Sequence, residues 1–173
     1  MIIKIIGSIL IISSSSFIGL LLSFDCIKRP NEIRMLQSMF HILLNEICFL
    51  SNLLKDAFDK VTIRNKSPVA VFFKDTIKNL DSNNNLTASM AWELAIINNI
   101  KKTALNKEDG EILISFGKML GTSDIEGQIK SINLLLEQLK LQEKKAEQKK
   151  QKNSSMYRNL GILGGLTIII ILL

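Results

Sequence analysis

The stretch Asn31-Glu32-Ile33-Arg34-Met35-Leu36-Gln37-Ser38-Met39-Phe40-His41-Ile42-Leu43-Leu44-Asn45-Glu46-Ile47 decides the fold class. Its apolar residues at Ile33, Leu36, Met39, Phe40, Leu43, Leu44 and Ile47, continued by Leu50, recur at steps of three and four. That spacing draws one face of an α-helix, and no period-2 strand pattern competes with it. Just ahead, Pro30 suits the first turn of a helix, where a missing N–H costs nothing, and Glu32 is favourable near the positive end.

Toward the C-terminus the pattern repeats. Ser51 and Asn52 interrupt the stripe, and Leu54, Ala57, Phe58 and Val61 resume it, so the spacing predicts a kink or a break into a second helix. Ser67-Pro68 opens a third, with Val69, Val71, Phe72, Ile77 and Leu80 apolar. The polar run Asp81-Ser82-Asn83-Asn84-Asn85 reads as a loop. Thr87 is a good N-cap for a fourth helix holding Trp92, Ala95 and Ile96. Asn106 caps a fifth, whose early acids Glu108, Asp109 and Glu111 oppose the helix dipole and whose inner face is Ile112, Leu113, Phe116 and Leu120. Gly121 ends it as a left-handed C-cap. In the sixth, Ser123 and Glu126 have capping-box spacing, and Ile125, Ile129, Ile132, Leu136 and Leu139 follow a 4-3-4-3 rhythm that fades at Glu143 and Ala146. Without Pro or Gly between Gln128 and Asn159, this helix is expected to continue into the C-terminal segment as one rod. The fold class is therefore all-α, a bundle of about six antiparallel helices.

Composition agrees. A chain of 173 residues with 2 Pro, 9 Gly and 6% aromatics does not suit a strand-and-turn architecture or a disordered Pro/Gly tract. With 2 Cys and 1 His, neither a disulfide scaffold nor a zinc site on this chain alone is expected.

Both ends of the chain are apolar. Ile5 to Phe24 carries no charge, and its length as a helix, about 30 Å, matches a bilayer's hydrocarbon core. A cleaved signal peptide is the competing reading, but the run is long for one and no A-x-A-like site follows. Asn159 to Leu173 is also uncharged; extended back to Met156 it reaches about 27 Å, with Arg158 snorkelling and Tyr157 at the interface. A buried core helix would need a polar face that Ile168-Ile169-Ile170-Ile171-Leu172-Leu173 lacks. The expected organisation is a membrane segment at 1–27, a helical domain at 28–155 and a second membrane segment at 156–173.

Charge sets the expected orientation. Lys28, Arg29 and Arg34 follow the first segment, and Lys149, Lys150, Lys152 and Arg158 sit before or at the start of the second, whereas Lys4 and the amino terminus lie on the other side. The positive-inside rule puts the helical domain in the cytoplasm and both termini outside. The net charge of +6 is thus attributed to anionic lipid head groups rather than nucleic acid, because no aromatics interleave the cations. In the cytosol Cys26 and Cys48 would stay reduced, as packing residues.

No phosphate-binding loop, H-E-x-x-H or dinucleotide motif is present, and the lone His41 is expected to be half-buried and structural. Neither a catalytic residue, a cofactor nor a metal is assigned. Gly161 and Gly165, and Ser15 and Gly19, have the small-x-x-x-small spacing that lets membrane helices pack closely, on each other or on a partner.

A family resemblance then comes into view. Lys28-Arg29-Pro30 followed by Leu36, Leu44-Asn45-Glu46-Ile47, Ala91-Trp92, Ile112-Leu113-x-x-Phe116-Gly117-x-x-Leu120-Gly121-Thr122-Ser123-Asp124 with Gln128, and Met156-Tyr157-x-x-Leu160-Gly161-x-x-Gly164-Gly165 stand in the order and spacing of the stage III sporulation protein AB family of endospore-forming Firmicutes. The chain resembles that family over nearly its whole length. Asn45 departs from the acidic residue the family pattern has there. The resemblance implies likeness to the cytoplasmic domain of type II secretion F proteins and membership of a channel between mother cell and forespore. It implies a place in the mother-cell membrane around the forespore, and partnership with the other stage III A proteins, one of them a secretion-type ATPase docked in the mother-cell cytoplasm.

The expected function is a non-enzymatic membrane platform of several copies, with Glu46, Asp124 and Gln128 as the docking residues. The alternative is a membrane tether dimerising through a coiled coil on the sixth helix, for which only two or three clean heptads exist.

Overall fold

The computed structural model describes residues 27–48, 54–64, 67–82, 86–121 and 124–172, with backbone only at 54, 64, 153–155, 157–162 and 164–172. The described residues form helices and turns without a strand. Helix α1 covers 27–48. It is followed by α2 (Leu54–Arg64), α3 (Ala70–Ser82), α4 (Ala88–Asn99, extended by a 3-10 turn Ile100–Lys102), α5 (Lys107–Gly117) and α6 (Ile125–Leu172). The chain divides into two units, of which Arg29–Lys144 is the helical bundle; Lys145–Leu172 of α6 belongs to the other.

Helix directions follow from which residues meet. Lys55 bonds Asp81 while Phe58 meets Phe73, so α2 and α3 run oppositely. Asp75 pairs with Asn99, and Asn79 with Ala91, which sets α3 against α4. Ile100 lies on Gly110 while Trp92 reaches Leu113 and Gly117, which sets α4 against α5. The antiparallel all-α bundle expected from the sequence is therefore present.

Two of the caps, Thr87 and Asn106, are the residues that the spacing singled out, whereas α5 ends at Gly117 with Lys118 as its C-cap rather than at Gly121. Thr87 accepts from the Met90 N–H. Asn106 and Asp109 form a reciprocal capping box at the start of α5. Asp124 accepts from the Gly127 N–H and opens α6, one residue after Ser123, which lies outside the described residues. Gly121 takes φ +78°, a left-handed conformation that suits glycine, and closes the turn after α5.

Five rings fill the middle of the bundle. Phe40, Phe58, Phe73, Trp92 and Phe116 stack mostly edge-to-face, with centroids 5.0 to 6.1 Å apart. Each such contact is worth about 0.5–1.5 kcal/mol beyond the area it buries. The buried indole Nε1 donates to the Leu113 carbonyl at 2.7 Å, so its one polar atom is satisfied. Gly117 lets α5 approach this ring: a Cβ there would collide with Trp92 Cδ1. Around the rings Ile33, Leu36, Met39 and Leu43 of α1 are completely buried, as their spacing predicts.

Three expectations are corrected. The buried stripe of α6 is Ile132, Leu135, Leu139, Gln142 and Ala146, rather than one through Ile125, Ile129 and Leu136. Leu134-Leu135-Leu136 offers three apolar neighbours, and packing against the other helices of the bundle buries Leu135; Ile125 is 48% exposed and Leu134 58%. Ile132 and Leu139, read as a coiled-coil seam, are engaged inside the bundle. His41, on the outer side of α1, is exposed rather than half-buried, and the free Cys48 is exposed rather than packed.

No helix among the described residues is long and apolar enough to cross a membrane. The segment proposed to cross at 1–27, with Ser15 and Gly19, lies outside the described residues except for residue 27. Gly161 and Gly165 lie on the helical backbone of α6.

Candidate functional site

The polar residues expected to dock a partner have three different settings. Glu46 is 7% exposed near the end of α1, and its carboxylate accepts from Lys60 Nζ at 2.8 Å. Asp124 is exposed and serves as the cap of α6. Gln128 stands one turn further on, half-buried, its N–H bonded to the Asp124 carbonyl. Asp124 and Gln128 are thus brought together by the first turn of one helix. Glu46 is held apart in the chain by its own ion pair.

The flanking cations divide likewise. Lys28, Lys149 and Lys152 are exposed. Lys150 bridges Glu147 at 2.7 Å. Arg158 has no described side chain. Arg34 reaches across to Glu143 at 2.6 Å, and Gln37 donates to the other oxygen of that carboxylate.

Arg29 is the centre of an ionic clamp. Its Nε and Nη2 grip both oxygens of Asp109 at 2.8 and 2.9 Å, and Nη2 also donates to Gln142 at 3.0 Å. The Asp109 side chain is fully buried, and one of its oxygens also accepts from the Asn106 N–H. One guanidinium therefore ties the first turns of α1 and α5 to α6. The two-pronged geometry is the one Arg alone offers a carboxylate. Close by in the sequence, Glu32 accepts from the Ala104 N–H and fixes the turn before α5. Sequence reasoning assigned Arg29 to the membrane flank and missed this clamp, because its partners lie 80 and 113 residues away. The one local signal was the capping-box spacing of Asn106 and Asp109.

Two apolar grooves run beside α5. One, toward α6, is lined by Ile112, Phe116, Met119, Leu134 and Leu135. The other, toward α4, is lined by Ile96, Ile97, Ile100, Leu105 and Ile114, with Lys101 and Lys107 at its rim. Neither holds a catalytic constellation. Among the described residues no group of His, Cys, Asp and Glu is arranged to hold a metal ion. At the surface, hydrogen bonding and charge attraction from Asp81 raise the Lys55 ammonium above its ordinary 10.5.

The sequence profile of stage III sporulation protein AB matches residues 4–173. The chain belongs to that family. Stage III sporulation protein AB of Bacillus subtilis (strain 168) is 31% identical over 170 residues, covering 98% of this chain and 99% of its own length. A solved structure of stage III sporulation protein AB superposes with a TM-score of 0.65 at 31% identity, over 71% of this chain and 96% of that one. Membership of the stage III sporulation protein AB family supports a role in sporulation, and the relative's name denotes a developmental stage rather than a reaction.

Proposed function

We propose that this chain is a membrane-embedded, non-enzymatic platform of a secretion-like channel between mother cell and forespore, whose helical bundle docks a secretion-type ATPase. The observation that carries the reading is the extent of the family match: it takes in both apolar ends as well as the bundle. An element retained together with its apolar ends is suited to hold a partner at a bilayer. The excess of Lys and Arg beside those ends supports a bundle on the cytoplasmic side, where ATP is available.

Mechanically, the Arg29 clamp gives the bundle a stiff root. A partner that displaces α5 moves the first turn of α1 with it, because one buried carboxylate joins them. Force applied by an ATPase is then carried by the bundle as a body. Exposed Asp124 and half-buried Gln128, together at the start of α6, are the docking point of this proposal. Glu46, paired with Lys60 on α2, is not part of that docking point.

The test is a pull-down of the ATPase by full-length chain in mild detergent. Wild type captures it; Asp124→Lys with Gln128→Lys, folded as judged by Trp92 fluorescence, does not. Undiminished capture by that variant moves the docking point elsewhere, and no capture by wild type removes the platform reading.

A further inference from the structure

Helix α4 is apolar on both sides. Ala91, Trp92, Ala95 and Ile96 face the core and are buried. Met90, Leu94 and Ile97 recur at steps of four and three on the opposite side and are 53%, 40% and 53% exposed. A helix that is apolar all round belongs inside a protein or an interface. The groove toward α5 adjoins this stripe through Ile97 and adds Ile100 and Ile114 to the same surface.

The charges on this face have an order. Glu93, exposed, lies near the beginning of the stripe. Lys101, also exposed, lies at its end. Neither forms an ion pair among the described residues. Acid at one end and base at the other make the face complementary to itself under a two-fold rotation. With two copies of α4 antiparallel, Leu94 meets Ile97 of the other copy. Met90 then lies along the aliphatic stem of Lys101, and Glu93 turns toward the Lys101 end. A foreign helix would need that same polarity by coincidence; a second copy has it by symmetry.

We infer that the stripe Met90, Leu94 and Ile97 is a homodimer interface, in which antiparallel α4 helices pack on each other with Glu93 about one turn from Lys101 of the other copy and within reach of its long side chain. The surface is on a different helix from Asp124 and Gln128, so dimerisation and ATPase docking are separable. Three large side chains and a groove make a small interface, and its affinity is modest compared with an obligate dimer. Anchoring in one bilayer would raise the effective concentration of the two copies.

The experiment uses full-length chain in mild detergent, with Cys26→Ser and Cys48→Ser to clear native thiols. Added singly, Ile97→Cys crosslinks to itself through a short bis-maleimide, whereas Lys78→Cys on α3 does not. In sedimentation equilibrium, Leu94→Glu with Ile97→Glu weakens self-association by about tenfold or more. Glu93→Lys weakens it as well, and adding Lys101→Glu to that variant restores it, as only antiparallel self-pairing requires. Trp92 fluorescence reports that each variant is folded. A monomer at every concentration overturns the inference. So does a dimer that survives Leu94→Glu with Ile97→Glu, a double charge reversal weaker than the single one, or a stripe that binds only a different protein.

Discussion

Replacing Arg29 by Met removes the only described cation gripping the buried carboxylate of Asp109. The Arg29 side chain is 17% exposed and that of Asp109 is fully buried. Breaking a buried ion pair from one side leaves an uncompensated charge, which typically costs about 3–5 kcal/mol. Residual exposure of Arg29 favours the lower end, about 3 kcal/mol. With a urea dependence of about 2 kcal/mol per molar, the unfolding midpoint should fall by about 1.5 M. The assay is urea unfolding of the full chain in detergent, followed by the emission of Trp92, the sole tryptophan. Adding Asp109→Asn removes the stranded charge while leaving an acceptor for the Asn106 N–H, so the double variant should regain most of the loss. A drop below about 1 kcal/mol for Arg29→Met, the range of exposed pairs, would refute the clamp.

Other consequences follow from single sites. Gly117→Ala pushes a methyl into Trp92 and should destabilise the bundle by about 1–3 kcal/mol, with a shift in Trp92 emission as the second readout. Asn106→Ala removes half of the capping box and should cost about 1 kcal/mol in the same unfolding assay. Because Asp81 raises the Lys55 ammonium, their attraction is complete below about pH 10.5 and fades as pH climbs through the elevated folded value. NMR titration of Lys55 Nζ should show that elevation in wild type and its loss in Asp81→Asn.

How much was legible beforehand depended on range. α1, α2 and α4 could be read because their inward residues repeat with the helical period and are buried as that period requires. Thr87 and Asn106 could be read because a cap acts on residues three or four positions away. α6 was misaligned because Leu134, Leu135 and Leu136 each satisfy the pattern, and only the neighbouring helices select Leu135. Arg29 was invisible as a clamp for a related reason. A charge next to an apolar segment looks the same whether it faces lipid or a carboxylate 80 residues away. The outward stripe of α4 was hidden by its inward one: with apolar residues on both sides, periodicity alone marks no exposed face.

Orientation across the bilayer carries the whole account, and Cys48 offers a direct probe of it. This thiol is free and exposed on the bundle. In a Cys26→Ser chain expressed in vegetative cells, whose plasma membrane faces the medium directly, a membrane-impermeant maleimide applied to intact protoplasts should leave Cys48 unlabelled and should label it fully once the cells are lysed. Labelling of Cys48 before lysis would put the bundle on the wrong side of the membrane for an ATP-driven partner.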